Sequence, residues 1–240
     1  MENPKKIENC PIVDSVIELR FISKIFPNAV FGLIYNSLVN EYPNVEKLPI
    51  LQLPEQLRDA DPNFKFKAHY KITSKDGFVV QIGPDVIIIG APNPYSGWVE
   101  FSNRIYFVIK QIHNLNIIDK VTRLGVRYIN FFDDNIFDKV NINISIGGNS
   151  LDPKNTLFRT EIKKNGYLNS LQVANNAIQM IKGKPNHGSI IDIDVFKEYN
   201  TGEFKDFYQD EIEKAHNTEK EIFFDLLKPA FLKSLNPTYK

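Results

Sequence analysis

The chain has 240 residues, 42% of them apolar and 24% charged, usage that excludes a disordered, collagen-like or coiled-coil protein. Lys plus Arg and Asp plus Glu each number 29, and residues 1–120 carry 13 of each sign, leaving 16 of each for the rest. A nucleic-acid binder usually shows a basic excess along some stretch, so this balance argues against nucleic acid as the partner. Cys10 is the only cysteine, which rules out an internal disulfide and a multi-cysteine zinc site. The N-terminus is polar, with Lys5 and Lys6, and no stretch approaches the roughly 20 apolar residues of a membrane helix. The expectation is a cytoplasmic protein with no membrane partner.

The first predicted element is a strand from Pro11 to Phe21, with Ile17, Leu19 and Phe21 on one face and Val16, Glu18 and Arg20 on the other. A helix over Asn28 to Glu41 follows, with Val30, Leu33, Ile34, Leu38 and Val39 at helical spacing. Pro43 ends it, and Pro49, Pro54 and Pro62 mark an irregular connection. Lys65 to Ile72 and Phe78 to Ile82 read as a hairpin turning at Asp76-Gly77. A short buried strand comes next, Val86 to Ile89. The apolar stripe Trp98, Phe101, Ile105, Val108, Ile109, Ile112 and Leu115 predicts a second helix.

Strands are expected over Lys120 to Phe132, Val140 to Ile146, Leu157 to Lys163 and Tyr167 to about Val173, the last two joined by an Asn165-Gly166 turn. Ser189 to Phe196 is a further strand, followed by helices from about Phe204 to His216 and from Glu219 onward. Thr218 with Glu221 suggests a capping box for the last helix, which Pro229 then kinks or restarts. Strands in adjacent pairs, without regular βαβ alternation, predict an α+β fold of mainly antiparallel sheet packed on a few helices, with a C-terminal helix. Residues 1–240 are expected to form one body, with a possible joint near 133–138 between the halves 1–132 and 139–240.

Several segments carry a family resemblance. Pro11-Ile12-Val13 with Glu18-Leu19-Arg20-Phe21, Tyr95-Ser96-Gly97-Trp98, Asn236-Pro237 and above all Arg123-Leu124-Gly125-Val126-Arg127-Tyr128-Ile129-Asn130 are the residues concerned. Together they resemble a sporadically distributed family of uncharacterised prokaryotic proteins of similar length. The resemblance spans nearly the whole chain and brings no catalytic residues with it. It implies a continuous final helix, which Pro229 departs from, and a gene context on mobile or defence-related islands.

No catalytic set stands out. His69, His113, His187 and His216 are scattered, and Cys10 lacks a neighbouring Cys-His signature. Gly147-Gly148-Asn149 follows a strand, but no Lys-Ser/Thr pair or helix follows to hold a phosphate. Asp192 and Asp194 project from one strand face and could share a divalent cation, with His187 and Glu198 nearby in sequence. Alternation with Ile191, Ile193 and Val195 equally fits two aspartates on a solvated face.

The arginines are more informative. There are six among 29 cations, and Arg20, Arg123, Arg127 and Arg159 fall inside predicted strands. The simpler reading is cross-strand pairing with carboxylates such as Glu18 and Glu161. The sharper one is a sheet face lined with guanidinium groups that binds a small anion or a nucleotide. Tyr95 and Trp98 are candidate contact residues, although Trp98 also opens an apolar helix stripe. The leading expectation is therefore a non-catalytic interaction or regulatory component of a mobile or defence-type gene system, with a protein partner or as a homo-oligomer and with no cofactor. The alternatives are the anion-binding module on Arg20, Arg123, Arg127 and Arg159, and a metal-dependent enzyme using Asp192 and Asp194.

Overall fold

The computed structural model describes residues 3–150, 155–181, 184–200 and 208–239, and it is an α+β protein whose paired strands are mainly antiparallel. The chain forms two compact units: Asp14–Val126 with Phe196–Ile212, and Met1–Val13 with Arg127–Val195 and Glu213–Lys240. The two-residue strand β1 (Lys6–Ile7) opens the chain. In β2 (Ile12–Ser23) the predicted alternation holds, with Ile17, Leu19 and Phe21 buried and Glu18 and Arg20 on the opposite face. The helix α1 (Pro27–Leu38) starts with Pro27 in its first turn, where the missing N–H costs nothing, and buries Val30, Ile34 and Leu38 at i, i+4 and i+8.

The connection expected to be irregular contains β3 (Asn44–Lys47), exposed along its length, and the short helix α2 (Glu55–Ala60). The predicted hairpin is β4 (Tyr70–Thr73) and β5 (Val79–Ile82), with Gly77 at φ 87° in its turn. It is followed by β6 (Val86–Gly90), α3 (Trp98–Asn114) and β7 (Ile118–Phe132). In this first unit the strands run in the order β7-β2-β6-β5-β4-β3, with Leu19 opposite Ile87 and Ile72 opposite Val80. Phe101, Ile105, Val108 and Ile112 of α3 are buried along the predicted stripe.

In the second unit β8 (Ser145–Ile146) and β9 (Asn149–Ser150) form a small hairpin around Gly147-Gly148, so this glycine pair is a turn between strands. The strand expected over Val140 to Ile146 is reduced to β8 and one bridge from Val140 to Leu227. The unit's sheet runs β10 (Leu157–Lys164), β11 (Tyr167–Ile181), β12 (Lys184–Glu198), then β7. Asn165 and Gly166 have φ of 53° and 81°, the positive pair that a two-residue hairpin turn requires. An added Cβ at Gly188 would collide with the Phe132 carbonyl oxygen, so only glycine fits this approach.

The two predicted C-terminal helices are one, α4 (Tyr208–Leu226); the expected start at Phe204 lies outside the described residues. Thr218 is not a cap but a buried mid-helix residue whose hydroxyl donates to the Lys214 carbonyl, 2.8 Å away. Pro229 occupies the first turn of a separate helix, α5 (Pro229–Ser234). The last strand, β13 (Pro237–Thr238), pairs with β1. No helix among the described residues is long and apolar enough to cross a membrane.

Candidate functional site

The strand face of β2 that turns away from the core presents Glu18 and Arg20, and the start of β7 contributes Lys120, Thr122 and Arg123. Glu18 Oε1 accepts from Arg20 Nε at 2.7 Å and from Arg123 Nη1 at 2.6 Å. Each guanidinium also lies over a ring, Arg20 over Phe66 at 4.5 Å and Arg123 over Phe196 at 4.4 Å. A guanidinium can donate to the carboxylate while its plane lies over a ring, a combination that favours arginine here over lysine, the habitual cation of this chain.

Beyond the end of β12 the chain is tied down by the Tyr199 N–H, which donates to the Thr122 carbonyl at 2.9 Å. The Tyr199 hydroxyl donates to Glu211 Oε2 at 2.9 Å, and Lys197 Nζ donates to the same oxygen at 3.0 Å. An open cleft of about 310 Å³ in the first unit is lined by Arg20, Lys120 and Arg123, by Phe66 and Tyr199, and by Thr122, Asn200 and Glu198. Counting Glu18 with the lining, three cations stand against two carboxylates. Among the described residues the cleft is a largely polar surface with one cation in excess and two aromatic side chains, Phe66 and Tyr199, in its lining, suited to an anion that carries a planar group.

Of the four strand arginines, Arg20 and Arg123 are brought together and the other two are placed elsewhere. Arg127 makes a two-pronged ion pair with Asp192, Nε to Oδ1 at 2.8 Å and Nη2 to Oδ2 at 2.6 Å. Its carboxylate partner is therefore Asp192 rather than Glu18. The Asp192 side chain is only 11% exposed against 47% for Arg127. Arg159 is exposed on β10, opposite Gln172.

The Arg127 fork takes both oxygens of Asp192, and among the described residues no group of three His, Cys, Asp or Glu side chains could hold a metal. Asp194 is half-buried and His187 exposed. Arg127→Ala is expected to cost about 1–3 kcal/mol by stranding the Asp192 carboxylate. Adding Asp192→Asn should recover part of that loss in urea denaturation, and an Arg127→Ala midpoint equal to the parental one would mean the fork contributes nothing.

Tyr95 and Trp98 both stand edge-on against the buried Phe101, at 6.2 and 6.1 Å between ring centres, and both are half-buried. An apolar recess of about 300 Å³ lies elsewhere in the first unit, lined by Leu19, Ile109, Ile112, Val121, His113 and Tyr208 among others. In the second unit His216 Nδ1 lies 3.1 Å from the Tyr128 hydroxyl, and burial pushes its pKa down to about 3. Three residues along, burial pushes the Glu219 carboxyl up to about 8.

Phe66, Tyr199 and Lys120 went unnoticed in the sequence. Tyr199 comes from a connection, where no periodicity marks a side chain that faces a site, and Phe66 was expected inside a strand from Lys65 that in fact begins at Tyr70.

No protein-family description matches this chain, and no curated protein sequence matches it. The geometry of the cleft therefore carries the functional reading.

Proposed function

We propose that the protein is a non-catalytic binding module that takes a small anion with a planar group, of the nucleotide type, into the Arg20–Arg123 cleft. One observation carries this reading: two guanidiniums share a single carboxylate oxygen and each lies over an aromatic ring. Arg20 and Arg123 are thereby held as preorganised donors beside a recess of small-molecule size. A module of this kind suits a regulatory component of a mobile or defence-type gene system, whose ligand would report a cellular state.

Thermal denaturation against a nucleotide panel and inorganic phosphate tests the reading. A ligand at about a hundredfold above its Kd adds about 2.7 kcal/mol, roughly 5–10 °C in midpoint for a chain of this length. Lys120 makes no ion pair among the described residues, so Lys120→Glu should spare the fold and abolish the shift. No shift with any nucleotide or with phosphate would overturn the proposal.

A second reading, protein contact through Tyr95 and Trp98, is favoured by Val99, which is 76% exposed beside the two half-exposed rings. Trp98→Ala should then release a partner that the parental protein retains after crosslinking in its native host.

A further inference from the structure

We infer that the outer edge of β10 is a self-complementary surface through which two copies of this chain pair about a two-fold axis. β10 ends the sheet order of the second unit, and among the described residues its only ladder partner is β11, with eight consecutive pairs and no bulge. The strand contains no proline, and among the described residues no other strand pairs with its outer edge. An edge of this kind offers a row of backbone donors and acceptors to an incoming strand. Natural edges are commonly guarded by charge of one sign; this one alternates, with Arg159, Glu161 and Lys163 all exposed on one face. Arg159 and Glu161 make no ion pair within the chain among the described residues.

The geometry of antiparallel pairing selects the register. Opposed residues must both point their backbone groups at the partner or both away from it. A two-fold axis between identical strands therefore passes through a residue position that meets itself. Centred on Arg159, the pairing sets Arg159 against Arg159. Centred on Glu161, it sets Glu161 against Glu161 and Arg159 against Lys163. Each is an opposed like-charge pairing, which destabilises a ladder. Centred on Ile162, the overlap runs into the Asn165-Gly166 turn and engages Lys164, already paired with Glu221 and Asp225. Centred on Phe158, Arg159 faces only Leu157.

The axis through Thr160 satisfies every position. Arg159 of each copy then faces Glu161 of the other, which makes two opposite-charge pairs. On the other face Phe158 meets Ile162, a side chain 38% exposed in the single chain. Leu157, 64% exposed, gains the aliphatic stem of Lys163 as cover. The partner this edge fits is a second copy of the same chain. The inference does not depend on the cleft, which lies in the other unit.

Sedimentation equilibrium of the full chain over a concentration series measures the pairing. A concentration-dependent dimer is expected, reduced at least tenfold in association constant by Glu161→Arg, which opposes like charges twice. The double exchange Arg159→Glu/Glu161→Arg reverses the order of the pairs and should restore association. Thr160→Cys in a Cys10→Ser background should form a disulfide-linked dimer on mild oxidation, because position 160 meets itself. A monomer at all concentrations, a dimer indifferent to Glu161→Arg, or a double exchange that fails to restore association would each overturn the inference. Circular dichroism of every variant separates lost pairing from lost folding.

Discussion

Glu18→Ala is expected to destabilise the protein by about 3 kcal/mol, the scale for breaking a buried ion pair by removing one partner. The carboxylate serves two guanidiniums through one oxygen, and the Arg123 side chain is only 9% exposed. Arg20 lies nearer solvent than Arg123, so more of the cost falls at the better buried guanidinium. Replacing the buried pair by apolar residues of similar volume is a different experiment, because no charge is then left behind in the interior. Glu18→Leu/Arg123→Met should lie closer to the parental stability than Glu18→Ala does, while ligand-induced stabilisation disappears. Urea denaturation of the three proteins decides the matter; a Glu18→Ala midpoint equal to the parental one would show that the shared carboxylate has no structural weight.

The second large effect is a dependence of stability on pH with two limbs of opposite sign. Glu219 has an ordinary value of 4.5 and is pushed to about 8 by burial, with the Lys220 charge beside it acting in the other direction. The folded state thus holds a proton that the unfolded state has released, and stability from this group is complete below pH 4.5 and lost as pH rises to about 8. His216 has an ordinary value of 6.5 and is pushed down to about 3 by burial and by the nearby Lys220 charge. Its contribution is complete above pH 6.5 and lost as pH falls toward 3.

Each limb is worth on the order of 5 kcal/mol. Between pH 4.5 and 6.5 the two slopes oppose each other, so a plateau of stability is expected there, with losses on both sides. Denaturation midpoints across pH 3–9 test this. Glu219→Gln should flatten the alkaline limb and leave the acid limb intact. Parental and Glu219→Gln curves that run parallel from pH 6.5 to 8 would refute the assignment.

The legible parts of the fold were those where burial imposes a period. The alternation of Ile17, Leu19 and Phe21 and the stripe from Phe101 to Ile112 state in residue types which face meets the core. The Asn165-Gly166 turn was legible because few other residue pairs accept two positive φ angles. β3 was invisible, since all four of its residues are exposed and no alternation arises. The join within α4 was misread because a threonine followed by a glutamate at the right spacing marks a helix start only when the backbone is free to begin there. Here Glu221 instead accepts from Asn165 and pairs with Lys164.

At the site, Arg20 and Glu18 were adjacent on one predicted face, so their pairing followed from period two alone. The convergence of Arg123 on that same carboxylate depends on which strands are neighbours, which pairwise periodicity does not encode. For the same reason the pairing of Arg127 with Asp192 was not legible, although both residues lie in predicted strands.

Neither compact unit is a continuous stretch of chain. The first is built from Asp14–Val126 and then, seventy positions on, Phe196–Ile212. During synthesis the early segment must wait on the ribosome while Arg127–Val195, which belongs to the second unit, is made. The second unit is in turn incomplete until Glu213 and the residues after it have emerged. The cleft inherits this order, because Phe196 and Tyr199, the ring under Arg123 and one wall of the recess, are translated long after the arginines they meet. A ribosome stalled between residues 123 and 199 therefore carries all the cations of the cleft and no finished cleft, and any ligand can stabilise the chain only near the end of translation.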